Sequence, residues 1–529
     1  MTELSRRSFL GGLVGATAAH AFSKSVPASP QTSKAASRAG SRPNILFLMS
    51  DQHRGDCLGA DGNRAIHTPN LDALAHQGAR FRNAYTCTPS CIPARAALLT
   101  GLSPWNNGLL GMGGWPIAHQ YPVEMPRRLR DAGYYTAGIG KMEFGPVVTT
   151  DHGFHQMIRD ETAHAFRNDY ESWFWSQAPN LDPLAVGLGW NDYPSKAYPF
   201  PEKLHHTYWT GETAVQFLRT YNRPEPFFLK VSFIPPHSPY TPPERFMQQY
   251  ADAHLPPALA GNWDAKFQPR SGPRLDIWHG DVGAAQVRQS RQGYYGSVSY
   301  LDEQIGRILA ALDERGWTEQ TLILYTTDHG DMLGDHYLWR KCQPYQSDVR
   351  IPMLVRWPQG LISAERGRVI SEVVELRDVL PTFLDAASAP LPSAIDGSSM
   401  LSLIDGKAKN WRPYLDLEHD VCYSPEVHWN ALTDGRRKYI FRAYDGREQL
   451  FDLEQDPGEC TDLAADPAQG ELLRQWRARL VEELAPRGDA YVKDGKLQLR
   501  PEPMPLSPHY PREEEAKYLH EHGFPKYVY

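Results

Sequence analysis

Residue 91 is a cysteine placed two positions before Pro93 and four before Arg95, in the run TCTPSCIPARAALLTG that spans Thr86 to Gly101. A helix beginning near Pro93 points its free N–H groups at residue 91, which makes that position a ready seat for an anion. Arg95, one turn further on, is close enough to hold the anion's oxygens or a group built on residue 91. Two other stretches offer ligands for a cation: Asp51 and Gln52 in SDQH, and Asp328 and His329 in DHGD. Together they supply three oxygens and one nitrogen, a donor set for a divalent ion that would polarise an anion beside it. Taken singly, each feature has an ordinary reading. Cys91 could be a buried thiol, Pro93 a first-turn proline, Arg95 a surface charge and DHGD a solvated turn. Against this, Asp51-Gln52 and Asp328-His329 each follow directly on an apolar run.

Those runs imply the scaffold. PNILFLM (43–49) stops at Ser50-Asp51-Gln52-His53, and YYTAGIG (134–140) stops at Lys141. PFFLKVSFI (226–234) stops at Pro235-Pro236-His237, TLILYTT (321–327) stops at Asp328-His329-Gly330-Asp331, and IPMLVRW (351–357) is a further apolar strand. Helical patterns lie between them at 69–80, 124–133, 209–221 and 294–315. Apolar strands alternating with amphipathic helices predict an α/β fold, a large mostly parallel sheet sandwiched by helices. Ligands in such sheets collect at the carboxyl ends of the strands, so the polar stops are predicted to converge at one edge. Residues 151–205 read as a long aromatic insertion over that edge. From about residue 411 the texture changes. RRKYIFRAYDGREQLFDLEQDPGE reads as two short strands around a turn at Asp445-Gly446, with an amphipathic helix following at 468–485. The expected organisation is a catalytic domain over 43–410 and, over 411–529, a small antiparallel sheet with one helix and a Pro-rich tail that wraps the surface.

Cys91, Pro93, Arg95 and Leu99-Thr100-Gly101 form C-x-P-x-R followed by L-T-G, which resembles the signature of the type I sulfatases of the alkaline-phosphatase-like superfamily. The resemblance runs from Pro43 to the QLFDLEQDPGE stretch. It implies that Cys91 is oxidised to Cα-formylglycine by a maturation machinery that reads the C-x-P-x-R run. It also implies one divalent ion held by Asp51, Gln52, residue 91, Asp328 and His329. Lys141 in GIGKMEFG, His237 in FIPPHSPY and Lys341 in LWRKCQPY match the family's sulfate-binding and proton-transfer residues. The lysines would neutralise sulfate, and His237 or Lys341 would protonate the leaving alcohol. In the implied reaction one hydroxyl of the hydrated aldehyde displaces the alcohol, leaving a covalent sulfo-enzyme. A base then takes the proton of the second hydroxyl and sulfate departs.

Two departures from the family pattern matter. Its commonest metal set is three Asp and one Asn around Ca2+. Here Gln52 and His329 replace one Asp and the Asn, so Ca2+ is the expected ion, with Mg2+ or Mn2+ as alternatives. The family also has a histidine where this chain has Glu143. Either Glu143 is the base, or another group such as His336 or His53 is, or Glu143 pairs with Lys141. The expected substrates are sulfate esters, small or glycan, with sulfated carbohydrates foremost; Trp173, Trp175 and Trp190 in the insertion either stack on sugar rings or pack the insertion on the core. An aryl or alkyl sulfatase, a phosphonate monoester or phosphodiester hydrolase, and a catalytically silent binding protein are the alternatives.

The chain of 529 residues carries 55 basic and 62 acidic side chains, a formal charge of −7 that argues against nucleic acid as a partner. Its N-terminus, SRRSFLGGLVGATAAHAFS, pairs Arg6 with Arg7 ahead of a short Gly/Ala-rich run and closes on Ala19-His20-Ala21. This looks like a twin-arginine signal peptide over 1–21, before a flexible leader over 22–42. The run is too short to span a bilayer. Export by the twin-arginine machinery to the periplasm or beyond is expected, without stable membrane insertion. That route carries folded protein, so residue 91 would mature before export. Six cysteines fit no zinc knuckle and no dense disulfide framework, and at most one bridge is expected.

Overall fold

The computed structural model describes residues 42–112, 115–144, 150–161 and 168–521. The expected signal peptide, and all of the leader but Arg42, lie outside them. Eight strands form the main sheet: β1 (Asn44–Asp51), β2 (Ala79–Phe81), β3 (Tyr135–Gly140), β4 (Gln156–Arg159), β5 (Phe227–Pro236), β6 (Thr321–Thr327), β7 (Met353–Arg356) and β8 (Arg368–Ile370). Their spatial order is β4-β3-β5-β1-β6-β7-β2-β8. Pairing is parallel from β4 through β6 and between β2 and β8, and antiparallel on both sides of β7. The sheet is therefore mostly parallel.

The helices that cover it are α1 (Pro69–His76), α2 (Cys91–Thr100), α3 (Met125–Asp131), α4 (Asp169–Gln177), α5 (His206–Thr220), α6 (Ala284–Glu314) and α7 (Val379–Ala386). Strand β1 shows why its sequence is continuously apolar. Ile45, Phe47 and Met49 pack into one core layer with Leu98 of α2, Leu129 of α3 and Phe383 of α7. Leu46 and Leu48 point the other way, onto Leu71 of α1, Leu218 of α5 and Ile305 of α6. A strand buried on both faces has no polar side to show in its sequence.

Two helix boundaries differ from expectation for identifiable reasons. The pattern at 69–80 ends early, at His76, because Gly78 lies against β7, where a Cβ would stand 2.2 Å from the Val355 carbonyl oxygen. Only glycine fits, and Ala79–Phe81 continues as β2 instead. Helix α6 starts at Ala284 rather than 294, since its first turns, AAQVRQSRQ, carry no apolar period to announce them. The insertion is also less irregular than expected, supplying edge strand β4 and helix α4.

Toward the C-terminus four sequential strands, β9 (Leu415–His419), β10 (Trp429–Thr433), β11 (Arg437–Arg442) and β12 (Glu448–Asp452), form an antiparallel sheet under helix α8 (Gly470–Leu484). Its two faces do different things. Leu432, Tyr439 and Leu450 pack on Trp476, Leu480 and Leu484 of α8. Leu417, Trp429 and Phe451 face the main body, against Met332, Leu338 and Tyr345. Trp429 also donates its indole N–H to the Cys342 carbonyl at 3.0 Å, which braces the loop after β6. The tail returns across the main body, where Tyr510 donates its hydroxyl to the Pro116 carbonyl at 2.9 Å. All six cysteines are free thiols, with those of Cys342 and Cys422 in contact. Among the described residues no helix is long and apolar enough to cross a membrane.

Candidate active site

The strand ends meet. Asp51 closes β1, where the pairing with β5 shifts register between Met49 and Asp51. Gln52 follows with a left-handed φ of 67°. That uncommon backbone is held on both sides, by its own N–H on Asp328 Oδ1 at 3.1 Å and by the Tyr294 hydroxyl, which donates to its carbonyl at 2.6 Å. Gly140 ends β3 so close to β5 that a Cβ would sit 2.1 Å from the Ser232 carbonyl oxygen. This approach lets the next residue, Lys141, donate its N–H to the same oxygen at 2.8 Å and turn inward. Helix α2 starts at Cys91 itself and is buried along its whole length.

Cys91 is the hub. The Lys341 ammonium donates to its sulfur at 2.7 Å and the Lys141 ammonium lies at 3.9 Å. His329 Nε2 is 3.3 Å from the sulfur and Asp51 Oδ1 is 3.8 Å away. Burial and the neighbouring Asp51 push the thiol up to about 12, so in the metal-free protein it is not a thiolate at neutral pH. Burial alone would raise Asp51, but Lys141, His237 and Arg95 outweigh it and hold the carboxyl well below the usual carboxylate range. Lys141 is kept well above the ordinary lysine range: burial opposes its charge, and Asp51, Cys91 and Glu143 more than restore it.

Arg95 is committed to the scaffold. Its Nε donates to Asp328 Oδ2 at 2.8 Å and its Nη2 to Asp51 Oδ2 at 3.2 Å. Its Nη1 donates to the Lys141 carbonyl at 3.0 Å and the Ser232 hydroxyl at 3.1 Å. The side chain expected from sequence to hold the diol on residue 91 or the sulfate oxygens also braces the two carboxylates and the backbone that carries Lys141.

Donor atoms of Asp51, Cys91, Asp328 and His329 all lie within 4.8 Å of one another. The polar bookkeeping around them fits a cation. His329 Nδ1 bonds the Gly330 carbonyl at 2.8 Å, which places its proton there and leaves Nε2 an acceptor lone pair, 3.3 Å from the Cys91 sulfur. That lone pair faces Asp51 Oδ1 at 3.7 Å and Asp328 Oδ1 at 3.9 Å, acceptor against acceptor, with burial lowering the imidazole's proton affinity further. Gln52 donates its side-chain N–H to Asp331 Oδ2 at 2.6 Å, while its Oε1 is buried without a hydrogen-bond partner. A buried acceptor without a partner, as Gln52 Oε1 is, and acceptors crowded against one another are costly unless something positive lies nearby. Asp51, Cys91, Asp328 and His329 form a group that could hold a metal ion.

His237 bonds the Ser238 carbonyl through Nδ1 at 2.6 Å, so its Nε2 is the acceptor nitrogen, facing the Lys341 ammonium at 3.4 Å. Burial, reinforced by Lys341, holds the imidazole well below its ordinary range and therefore neutral. Glu143 pairs with Lys141 at 2.8 Å, one of the arrangements left open by the sequence. The other two bases considered are spent elsewhere. His53 bonds the Tyr325 hydroxyl at 2.5 Å and the Cys57 carbonyl at 2.8 Å, and His336 bonds Asp264 and the Gly458 carbonyl, both at 2.9 Å.

Sequence reasoning missed several supporting groups. Asp331 was legible as the last letter of DHGD, yet its role is to hold Gln52, the Tyr240 hydroxyl and the Leu333 and Arg340 N–H groups. Glu161 accepts the Met142 and Glu143 N–H groups across the sheet edge, and nothing local in the sequence announces it. The three tryptophans of the insertion separate. Trp173 and Trp175 pack with Phe174 and Trp209 into a small core, whereas Trp190 stacks on His237 with ring centres 4.3 Å apart.

Comparison with known proteins agrees with this geometry. Residues 43–389 match the family described as Sulfatase, and residues 334–485 match the C-terminal region of N-sulphoglucosamine sulphohydrolase. The chain is 37% identical to an arylsulfatase of Clostridium perfringens, over 86% of this chain and 97% of the relative. It is 33% identical to a choline-sulfatase of Rhizobium meliloti, over 80% and 83%. Among solved structures, the phosphonate monoester hydrolase of Agrobacterium radiobacter superposes with a TM-score of 0.72 at 25% identity, covering 87% of this chain and all of the other.

Proposed function

The chain belongs to the sulfatase family, and from that premise we propose that it hydrolyses sulfate esters at the strand-end site, with residue 91 as the reacting position. The observation that carries this reading is the placing of Cys91 Sγ between cations and carboxylates. The Lys341 and Lys141 ammoniums lie at 2.7 and 3.9 Å, and Asp51 and His329 offer acceptors within 3.8 Å.

Conversion of the Cys91 thiol to formylglycine would supply a hydrated aldehyde as nucleophile, which the thiol, held up to about 12, does not provide at neutral pH. A divalent ion held by Asp51, Gln52, residue 91, Asp328 and His329 would polarise the ester's oxygens and acidify the attacking hydroxyl. Ca2+ suits the oxygen-rich part of that set, and His329 leaves Mg2+ or Mn2+ as alternatives. The chain's own groups do the rest. Lys141 and Lys341 neutralise the anion. Lys341 Nζ, charged and 3.4 Å from His237 Nε2, is the proton source on the leaving-group side. Neutral His237, its Nδ1 fixed on the Ser238 carbonyl, accepts from that ammonium at Nε2 and so orients it toward the leaving oxygen. Arg95 keeps Asp51 and Asp328 in place.

Export by the twin-arginine machinery after maturation, to the periplasm or the medium, is part of the same proposal and rests on Arg6, Arg7 and the Ala19-His20-Ala21 close. The test of the function is turnover by protein made with a formylglycine-generating system. With 4-nitrophenyl sulfate and bis(4-nitrophenyl) phosphate offered separately, kcat/KM is expected to favour the sulfate at least about tenfold. A preference of that size for the phosphodiester would transfer the assignment to phosphonate monoester or phosphodiester hydrolysis, the first being the activity named for the Agrobacterium radiobacter neighbour.

A further inference from the structure

We propose that Trp190 walls the leaving-group side of the site and selects esters whose leaving group carries a flat aromatic ring. This deepens, and rests on, the sulfate-ester reading. Trp190 is half-buried and lies nearly parallel to the His237 imidazole, with centres 4.3 Å apart and planes 19° apart. Its ring centre is also 5.8 Å from the Lys141 ammonium. The indole therefore touches one of the two cations around Cys91 and the imidazole at the proton-transfer position.

The edges of His237 are already used. Nδ1 is on the Ser238 carbonyl at 2.6 Å and Nε2 faces Lys341 at 3.4 Å. A leaving oxygen that takes its proton at the Nε2–Lys341 edge brings its first carbons beside the stacked imidazole and indole. A flat ring continues such a stack in an offset arrangement, which a puckered ring matches less well.

The segment that carries Trp190 is anchored. Gly189 donates its N–H to Asp192 Oδ2 at 2.7 Å, and Tyr193 donates its own to the Leu275 carbonyl at 2.9 Å. The Tyr193 ring packs 4.9 Å from that of Trp339, a buried residue two positions before Lys341. The loop that presents the indole and the loop that presents the lysine are thus joined through one aromatic contact. Trp173 and Trp175 lie in a separate core and cannot share the task.

The test compares binding of benzenesulfonate and cyclohexanesulfonate, two anions of similar size that cannot be hydrolysed, by calorimetry on the metal-loaded protein. Kinetics with phenyl and cyclohexyl sulfate run in parallel. The wild type is expected to prefer the aromatic anion roughly three- to tenfold, Trp190→Phe to keep most of that preference and Trp190→Ala to lose it. In turnover, Trp190→Ala should raise KM for the phenyl ester more than it lowers kcat. A wild type that binds the saturated anion as tightly, or an aromatic preference unchanged in Trp190→Ala, overturns the proposal. Should the wild type prefer benzenesulfonate yet turn over neither ester, the sulfate-ester reading fails while the role of Trp190 stands.

Discussion

Cys91→Ala should abolish ester turnover, by on the order of 10^4-fold or more in kcat/KM, and leave the protein folded. The size of the loss follows from what surrounds the sulfur. Lys341, Lys141, Asp51 and His329 all converge on the atom that alanine removes. Stability should change little, by about 1 kcal/mol, since only one buried atom is deleted from a helix whose packing is otherwise untouched. A steady-state assay and a melting curve on the same preparation check both halves. A catalytically silent protein that merely kept this fold would show no difference between the two chains.

Arg95→Ala is expected to have the largest effect on stability. The guanidinium is buried and pairs with Asp328 at 2.8 Å and Asp51 at 3.2 Å. Removing it leaves buried Asp328 without its ion-pair partner and Asp51 with Lys141 alone, and deleting one partner of a buried ion pair costs about 3–5 kcal/mol. Turnover should fall with it, because the Lys141 carbonyl and Ser232 lose the donor that ties β3 and β5 to α2. Arg95→Lys should recover little, since a single ammonium cannot reach four acceptors in a forked arrangement. Urea unfolding of the metal-free protein measures this. A loss below about 1 kcal/mol would mean that the carboxylates are held by something else.

Much of this site could be read before any coordinates because its parts sit where a regular element stops. Asp51, Lys141, His237 and Asp328 each end an apolar run, and parallel strands bring such ends to one rim. Cys91 was legible from its own neighbours. Groups that act across the chain were not. Glu161 supports the Lys141–Glu143 turn from the adjacent strand end, and no local pattern distinguishes it from a surface acid. The committed geometry of Arg95 was equally hidden, since one turn of helix says that it can reach an anion but not that four acceptors already claim it. Among the tryptophans, composition could not separate Trp190 from Trp173 and Trp175. That difference depends on Tyr193 anchoring to Trp339, nearly 150 residues away in sequence.

The reaction assigned to this chain depends on residue 91 carrying an aldehyde at the meeting point of two lysines and a metal site. Mass spectrometry of the peptide spanning Thr86 to Gly101, from protein with measured turnover, tests that claim most directly. The expected peptide is lighter than the thiol form by the difference between a thiol-bearing and an aldehyde-bearing side chain, in a fraction that rises in proportion to specific activity. Fully active protein whose residue 91 is an intact thiol throughout would contradict it.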